Sequence, residues 1–242
     1  MNQTMIFHDL RDALAKPGCP VCRLNAAAAE RYIDGLLWEN VNDPSVREQF
    51  RRARGFCHQH SSKLVRPGAS LGVAILMHDV LQSMLGVMEE ARFEALPALS
   101  LRRAQESLDP AQPSAATAEL VGRLTPQARC PVCVHIEETK DIYLTTLVEH
   151  LSGTAGLLPS YQASDGLCLT HFRRALRFVR DREVFHSIVN AQRAIWRRLE
   201  GHLAEAIRKS DYRFRDEPPG DESGAWLRGI AALTGAREAD AP

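Results

Sequence analysis

Lysine is scarce in this chain. Lys16, Lys63, Lys140 and Lys209 are the four lysines among 30 basic residues, so arginine carries the positive charge. Thirty acidic residues bring the formal net charge to zero. A chain without basic excess is not built as a general nucleic-acid binder, whose electrostatic footprint is positive. Residues 1–16 lack the apolar segment of a secretory signal. No apolar stretch approaches the roughly 20 residues that span a bilayer. The expected location is the cytoplasm, with no membrane involved. A phosphate loop, a nucleophile elbow and a dinucleotide fingerprint are also missing. Those absences leave no sequence signal for catalysis, and the chain reads as non-enzymatic.

Cysteine is present six times, and none lies outside one repeated pattern. The first copy is Cys19-Pro20-Val21-Cys22, followed by Cys57 and His60. The second is Cys130-Pro131-Val132-Cys133, followed by Cys168 and His171. In each copy 34 residues separate the second and third cysteines, and the copies lie 111 residues apart. In a reducing compartment such cysteines are metal ligands or redox centres more often than disulfides. Three thiolates and one imidazole form a Cys3His set, which suits tetrahedral zinc. Cys19, Cys22, Cys57 and His60 are expected to close one zinc site, and Cys130, Cys133, Cys168 and His171 a second. Four protein ligands leave no open position, so the metal is expected to be structural. Two alternatives stay open: an iron–sulfur cluster, since thiolate-rich sets also hold clusters, and a metal-free C-x-x-C redox pair.

The repeat also settles a local choice. His58 and His60 both follow Cys57, but their counterparts at a shift of 111 are Leu169 and His171. His60 is the expected ligand, and His58 is expected to face solvent or to contact a ligand without binding the metal. Gly55 and Gly166, two residues before the third cysteine, suit a backbone turn with positive φ.

The same shift aligns Tyr32 with Tyr143, Leu36 with Leu147, Phe50 with Tyr161 and Val73 with Val184. A period this long points to a duplicated domain rather than a solenoid. The expected organisation is a first helical repeat at 1–95, a linker at 96–118, a second repeat at 119–210 and a tail at 211–242. The spacing predicts helices after each Pro-x-Cys pair, from Leu24 to Leu37 and from Ile136 to Leu151. It predicts another over about Pro44 to Arg54. Long amphipathic helices follow each Cys-x-x-His. Their stripes are Val73, Leu76, Met77, Val80, Leu81, Met84, Leu85 and Met88 in one, and Val184, Phe185, Ile188, Ile195, Trp196, Leu199, Leu203 and Ile207 in the other. Both stripes are expected to be core or the contact between the halves. Asp211 to Gly220 reads as extended, and a short helix is expected from Trp226 to Leu233, stopped by Gly235. With no run of alternating strands, the fold class is all-α, two homologous halves each stapled by a Cys3His site.

Weaker signals have ordinary explanations. Glu183 and His186 have half the spacing of a di-iron motif, and no second pair accompanies them. Arg173 to Arg182 is locally basic. It reads as a solvated face with Leu176 and Val179 inward, or as a contact for nucleic acid or an acidic partner. Tyr212, Phe214 and Trp226 are expected to pack on the body.

The paired Cys-Pro-x-Cys and Gly-x-Cys-x-x-His sets, with the tail Tyr212-Arg213-Phe214-Arg215-Asp216-Glu217-Pro218 and Trp226, resemble a bacterial family of unknown function with duplicated cysteine motifs. The resemblance spans nearly the whole chain and implies metal binding but no activity. The resulting expectation is a zinc protein whose metals shape a surface for an unidentified protein partner. An iron–sulfur or thiol redox protein and a nucleic-acid-binding regulator are the alternatives.

Overall fold

Eleven α-helices and no strand occupy the described residues of the computed structural model, which are 5–92, 115–153, 155–214 and 217–235. Helix α1 spans Met5–Leu14 and gives way to Pro17 and Gly18, the latter at φ +81°. Pro20 then opens α2, Pro20–Trp38, where its missing N–H costs nothing. Asp43 caps α3, Pro44–Arg52, accepting from Ser45 N at 2.7 Å and Val46 N at 3.2 Å. Short α4, His58–Ser61, leads through a 3-10 turn into α5, Ser70–Glu89. Next come α6, Ala115–Leu124, and α7, Pro131–Glu149. Then follow α8, Leu158–Ala163, α9, Leu169–Ala175, and the 28-residue α10, Arg182–Lys209. Helix α11, Ala225–Thr234, ends at Gly235, φ +87°.

The chain divides into two compact units, Met1–Ala28 with Ile136–Pro242, and Ala29–His135. They do not follow the expected 1–95 and 119–210 halves. The unit boundaries fall inside α2 and α7, so each helix opens in one unit and continues in the other. In the first unit, Phe7, Leu10 and Leu14 of α1 join Leu144 and Leu147 of α7, Leu151 just beyond its end, Tyr161 of α8, and Ile188 and Ile195 of α10 in one core. In the second, Ile33, Leu36, Phe50, Leu64, Leu76, Val80 and Val132 are buried. Asp79 is buried there as well, accepting from Arg47 at 2.8 Å and Arg51 at 2.7 Å. A carboxylate held by two guanidiniums keeps its charge out of water at acceptable cost.

Several expectations need correction. Residues 96–114 of the expected linker lie outside the described residues, and 115–118 belong to α6. The tail is not extended throughout, since Tyr212–Phe214 forms a 3-10 turn. Phe214 is half-buried under the Arg208 guanidinium, but Tyr212 and Trp226 are exposed. Within the α10 stripe, Ile188 and Ile195 are buried whereas Phe185 and Ile207 are exposed. Within the α5 stripe, Leu76 and Val80 are buried, but Leu81, Leu85 and Met88 are exposed. Helix α5 is also 20 residues long, with mean hydropathy 1.6 over an 18-residue window of which 11% is buried, so by length and composition it could cross a membrane. The expectation that no stretch reaches that length is therefore corrected.

Candidate metal centres

The eight expected ligands are gathered into two groups, but crosswise. Cys19, Cys22, Cys168 and His171 form one group in the first unit. Cys57, His60, Cys130 and Cys133 form the other in the second. Each C-x2-C pair meets the Cys-x-x-His of the other half, contrary to the within-half pairing expected above.

Local structure explains how each set is presented. Cys19 and Cys22 bracket the first turn of α2, and Cys130 and Cys133 the first turn of α7. Cys57 and Cys168 are extended N-cap residues of α4 and α9, at φ −65° and −66°, so their partners His60 and His171 lie one turn on. Gly55, φ +91°, and Gly166, φ +69°, turn the chain into these caps, as the sequence predicts.

Hydrogen bonds hold the crosswise meeting in place. In the first unit Gly18 N donates to Asp165 Oδ2 at 2.7 Å, tying the approach to Cys19 to the loop before Cys168. Arg23 Nη1 donates to Ala13 O at 2.8 Å and tethers the preceding turn. Buried Gln192 clasps the backbone of Leu167, accepting from its N at 3.0 Å and donating to its O at 3.1 Å. Tyr161 Oη donates to the same Gln192 Oε1. In the second unit Gln127 N and Ala128 N both donate to Arg52 O, at 2.8 and 3.2 Å. That fastens the approach to Cys130 onto the end of α3, just ahead of Cys57. Neither Gln192 nor Asp165 carries a signal in the sequence, because a polar residue clasping backbone has no fixed spacing. Gly235 is a further unanticipated neighbour: a Cβ there would lie 3.5 Å from Cys22 Sγ and 3.7 Å from Cys168 Sγ.

Both histidines present Nδ1. In the first group His171 Nδ1 lies 3.4, 3.4 and 3.2 Å from Sγ of Cys19, Cys22 and Cys168, and Cys22 and Cys168 sulfurs are 3.9 Å apart. In the second His60 Nδ1 lies 3.2, 3.5 and 3.4 Å from Sγ of Cys57, Cys130 and Cys133, and Cys57 and Cys133 sulfurs are 3.7 Å apart. Bonds of about 2.3 Å to sulfur and 2.0–2.1 Å to nitrogen give tetrahedral edges of about 3.8 and 3.6 Å. The donor sets match those edges to within a few tenths of an ångström, so either group can hold a metal ion. His60 is buried and His58 exposed, as the repeat predicts.

The thiols divide the negative charge unequally. Burial raises the Cys130 thiol, but His60 and the backbone N–H groups of Cys57, Cys133 and Val132 outweigh it and bring it down to about 6. These N–H groups include the N-terminus of α7, which favours a thiolate. Burial and the Cys130 charge push Cys133 up to about 12. In the first group, hydrogen bonds from Cys19, Cys22 and His171 hold Cys168 far below the usual thiol range. Burial, then its two cysteine neighbours, raise Cys19. Burial opposes charge on His171, yet the Cys168 and Cys22 sulfurs raise it to about 9. Each group thus gathers more thiol than it can ionise alone, which a divalent cation would relieve.

The isolated arginine run proves partly neutralised. Arg174 donates to Asp141 at 2.5 Å and to Glu137 at 2.6 Å, while Leu176 and Val179 turn toward the core.

The description "Family of unknown function (DUF6062)" matches residues 1–240. The chain is similar to the "Uncharacterized 23.9 kDa protein in xynA 3'region" of Caldicellulosiruptor sp. (strain Rt8B.4). They are 25% identical over 219 residues, covering 90% of this chain and 95% of that one. No solved structure matches.

Proposed function

Because the chain belongs to this family of unknown function, we propose its role from the geometry: a non-enzymatic cytoplasmic protein in which two structural zinc ions shape a surface for interaction or regulation. The observation that carries this reading is the closure of each donor set around one point, with four protein atoms at tetrahedral spacing. A closed set leaves no position for a substrate or an activated water, which separates structural from catalytic zinc. An iron–sulfur cluster would spread its thiolates over several irons, and the short sulfur–sulfur contacts favour a single ion instead.

We further read the two halves as copies of one ancestral unit. Burial agrees at positions 111 apart: Val21 with Val132, Ile33 with Leu144, and Phe50 with Tyr161. The ion pairs Lys63–Glu30, 2.6 Å, and Arg174–Asp141, 2.5 Å, also occupy matching positions. In this reading each copy contributes half of each site.

Elemental analysis of anaerobically purified protein, taken with its visible spectrum, tests the assignment. Two zinc per chain and no colour are expected. Iron with acid-labile sulfide would replace the structural reading with redox chemistry.

A further inference from the structure

The exposed side of α5 is patterned. Leu71, Ala74, His78, Leu81, Leu85 and Met88 are exposed, and their spacing is 3-4-3-4-3. The large apolar members are open to solvent, with Leu71 72%, Leu81 61%, Leu85 56% and Met88 52% accessible. This is the a/d spacing of a helix seam that packs knobs into holes, and it runs through two and a half heptads. The opposite side of α5 packs within its unit, through Leu76, Val80 and the Asp79 pair with Arg47 and Arg51. Although its length and composition would allow a span, the bridged Asp79 at its middle, buried beside Leu76 and Val80, argues against this helix entering a bilayer. It presents a single stripe.

The stripe is also self-complementary. Reversing it about its midpoint sets Leu71 opposite Met88, Ala74 opposite Leu85, and His78 opposite Leu81. Small thus faces large at the second layer, while the polar residue at the centre lowers the stability of the seam. The charges agree with this direction. The last turn of α5 carries Glu89, followed by Glu90, and has no basic residue, while the first turn has no acidic one. An antiparallel partner brings those carboxylates to the positive N-terminus of the facing helix, whereas a parallel partner would stack them on each other. We propose that α5 is the two-fold seam of a homodimer, with a second copy of this chain packed antiparallel along Leu71 to Met88. A two-fold interface must be self-complementary, and this stripe is. One helix pair buries about 1,000 Å² or less, the small end of specific interfaces, so the dimer is reversible and concentration-dependent.

Sedimentation velocity of the full metal-loaded chain over a wide concentration range tests the proposal. Wild type is expected to pass from monomer to dimer. Leu81→Glu with Leu85→Glu should weaken association at least about tenfold while leaving metal content and helical circular dichroism unchanged, because both side chains are exposed. Leu71→Lys with Met88→Glu should keep the dimer, since the new charges meet across an antiparallel seam. Leu71→Glu with Met88→Glu should abolish it. A wild-type monomer at every concentration overturns the proposal. So does a dimer indifferent to Leu81→Glu with Leu85→Glu. Loss of the dimer in the Lys/Glu pair overturns the antiparallel direction. Flotation with phosphatidylglycerol–phosphatidylcholine vesicles, lost in the Leu81→Glu, Leu85→Glu chain, would assign the stripe to a lipid surface instead. None of these outcomes depends on which metal is bound.

Discussion

Exchanging two ligands at once distinguishes crosswise sites from sites closed within each half. Cys22→Ser alone removes one metal under either arrangement, so single variants are silent on the point. Cys22→Ser with Cys168→Ser damages one crosswise site, because these sulfurs lie 3.9 Å apart in the same group. One equivalent of metal per chain should remain. Cys22→Ser with Cys57→Ser strikes both groups and should leave none. Sites closed within halves require the opposite counts. Structural zinc contributes about 10–16 kcal/mol per site in small peptides, so loss of a thiolate exposes the ion to a competing chelator. The count is taken by metal analysis after challenge with a chromogenic chelator. Hydrogen exchange should localise the damage of the first pair to the unit holding α1 and α8–α11. No metal in the first variant and one equivalent in the second would refute the crosswise assignment.

Other consequences follow from the same contacts. Before a metal binds, Cys19 is raised and His171 stands at about 9, so both are protonated at pH 7. Both must lose their protons to ligate, so affinity at this site should rise with pH, by at least about 100-fold per unit between pH 6 and 8. Competition titrations measure the slope, and a flat profile contradicts it. Gly166→Ala adds a Cβ 2.9 Å from Gln192 Oε1 at φ +69°. It should cost about 2–5 kcal/mol in urea unfolding, the sum of left-handed backbone strain and overpacking. Gly153→Ala, with nothing within 4 Å, should cost less. Asp79→Asn leaves Arg47 without its carboxylate and should lower stability by about 1–3 kcal/mol at neutral pH. An unchanged urea midpoint would show that this pair is neutral.

Much of this protein was legible as sequence because its ligands are rare residues at repeated spacing. Six cysteines and two histidines at a shift of 111 identify the donor set. The same comparison chooses His60 over His58, and the predicted glycine turns appear at Gly55 and Gly166. Helix periodicity places most elements, since amphipathicity acts within a few residues. What the tertiary structure decided is which donors meet. Spacing along the chain is identical whether Cys22 closes on Cys57 or on Cys168, because both Cys-x-x-His sets offer the same chemistry. The choice rests on long-range contacts such as Gly18 to Asp165 and Gln127 to Arg52, which leave no periodic trace. Burial of the α5 stripe was undetermined for a similar reason. Hydrophobic spacing names the faces of a helix that avoid water, but only packing shows that one face is covered from within and the other, at Leu71 to Met88, remains open to a second chain.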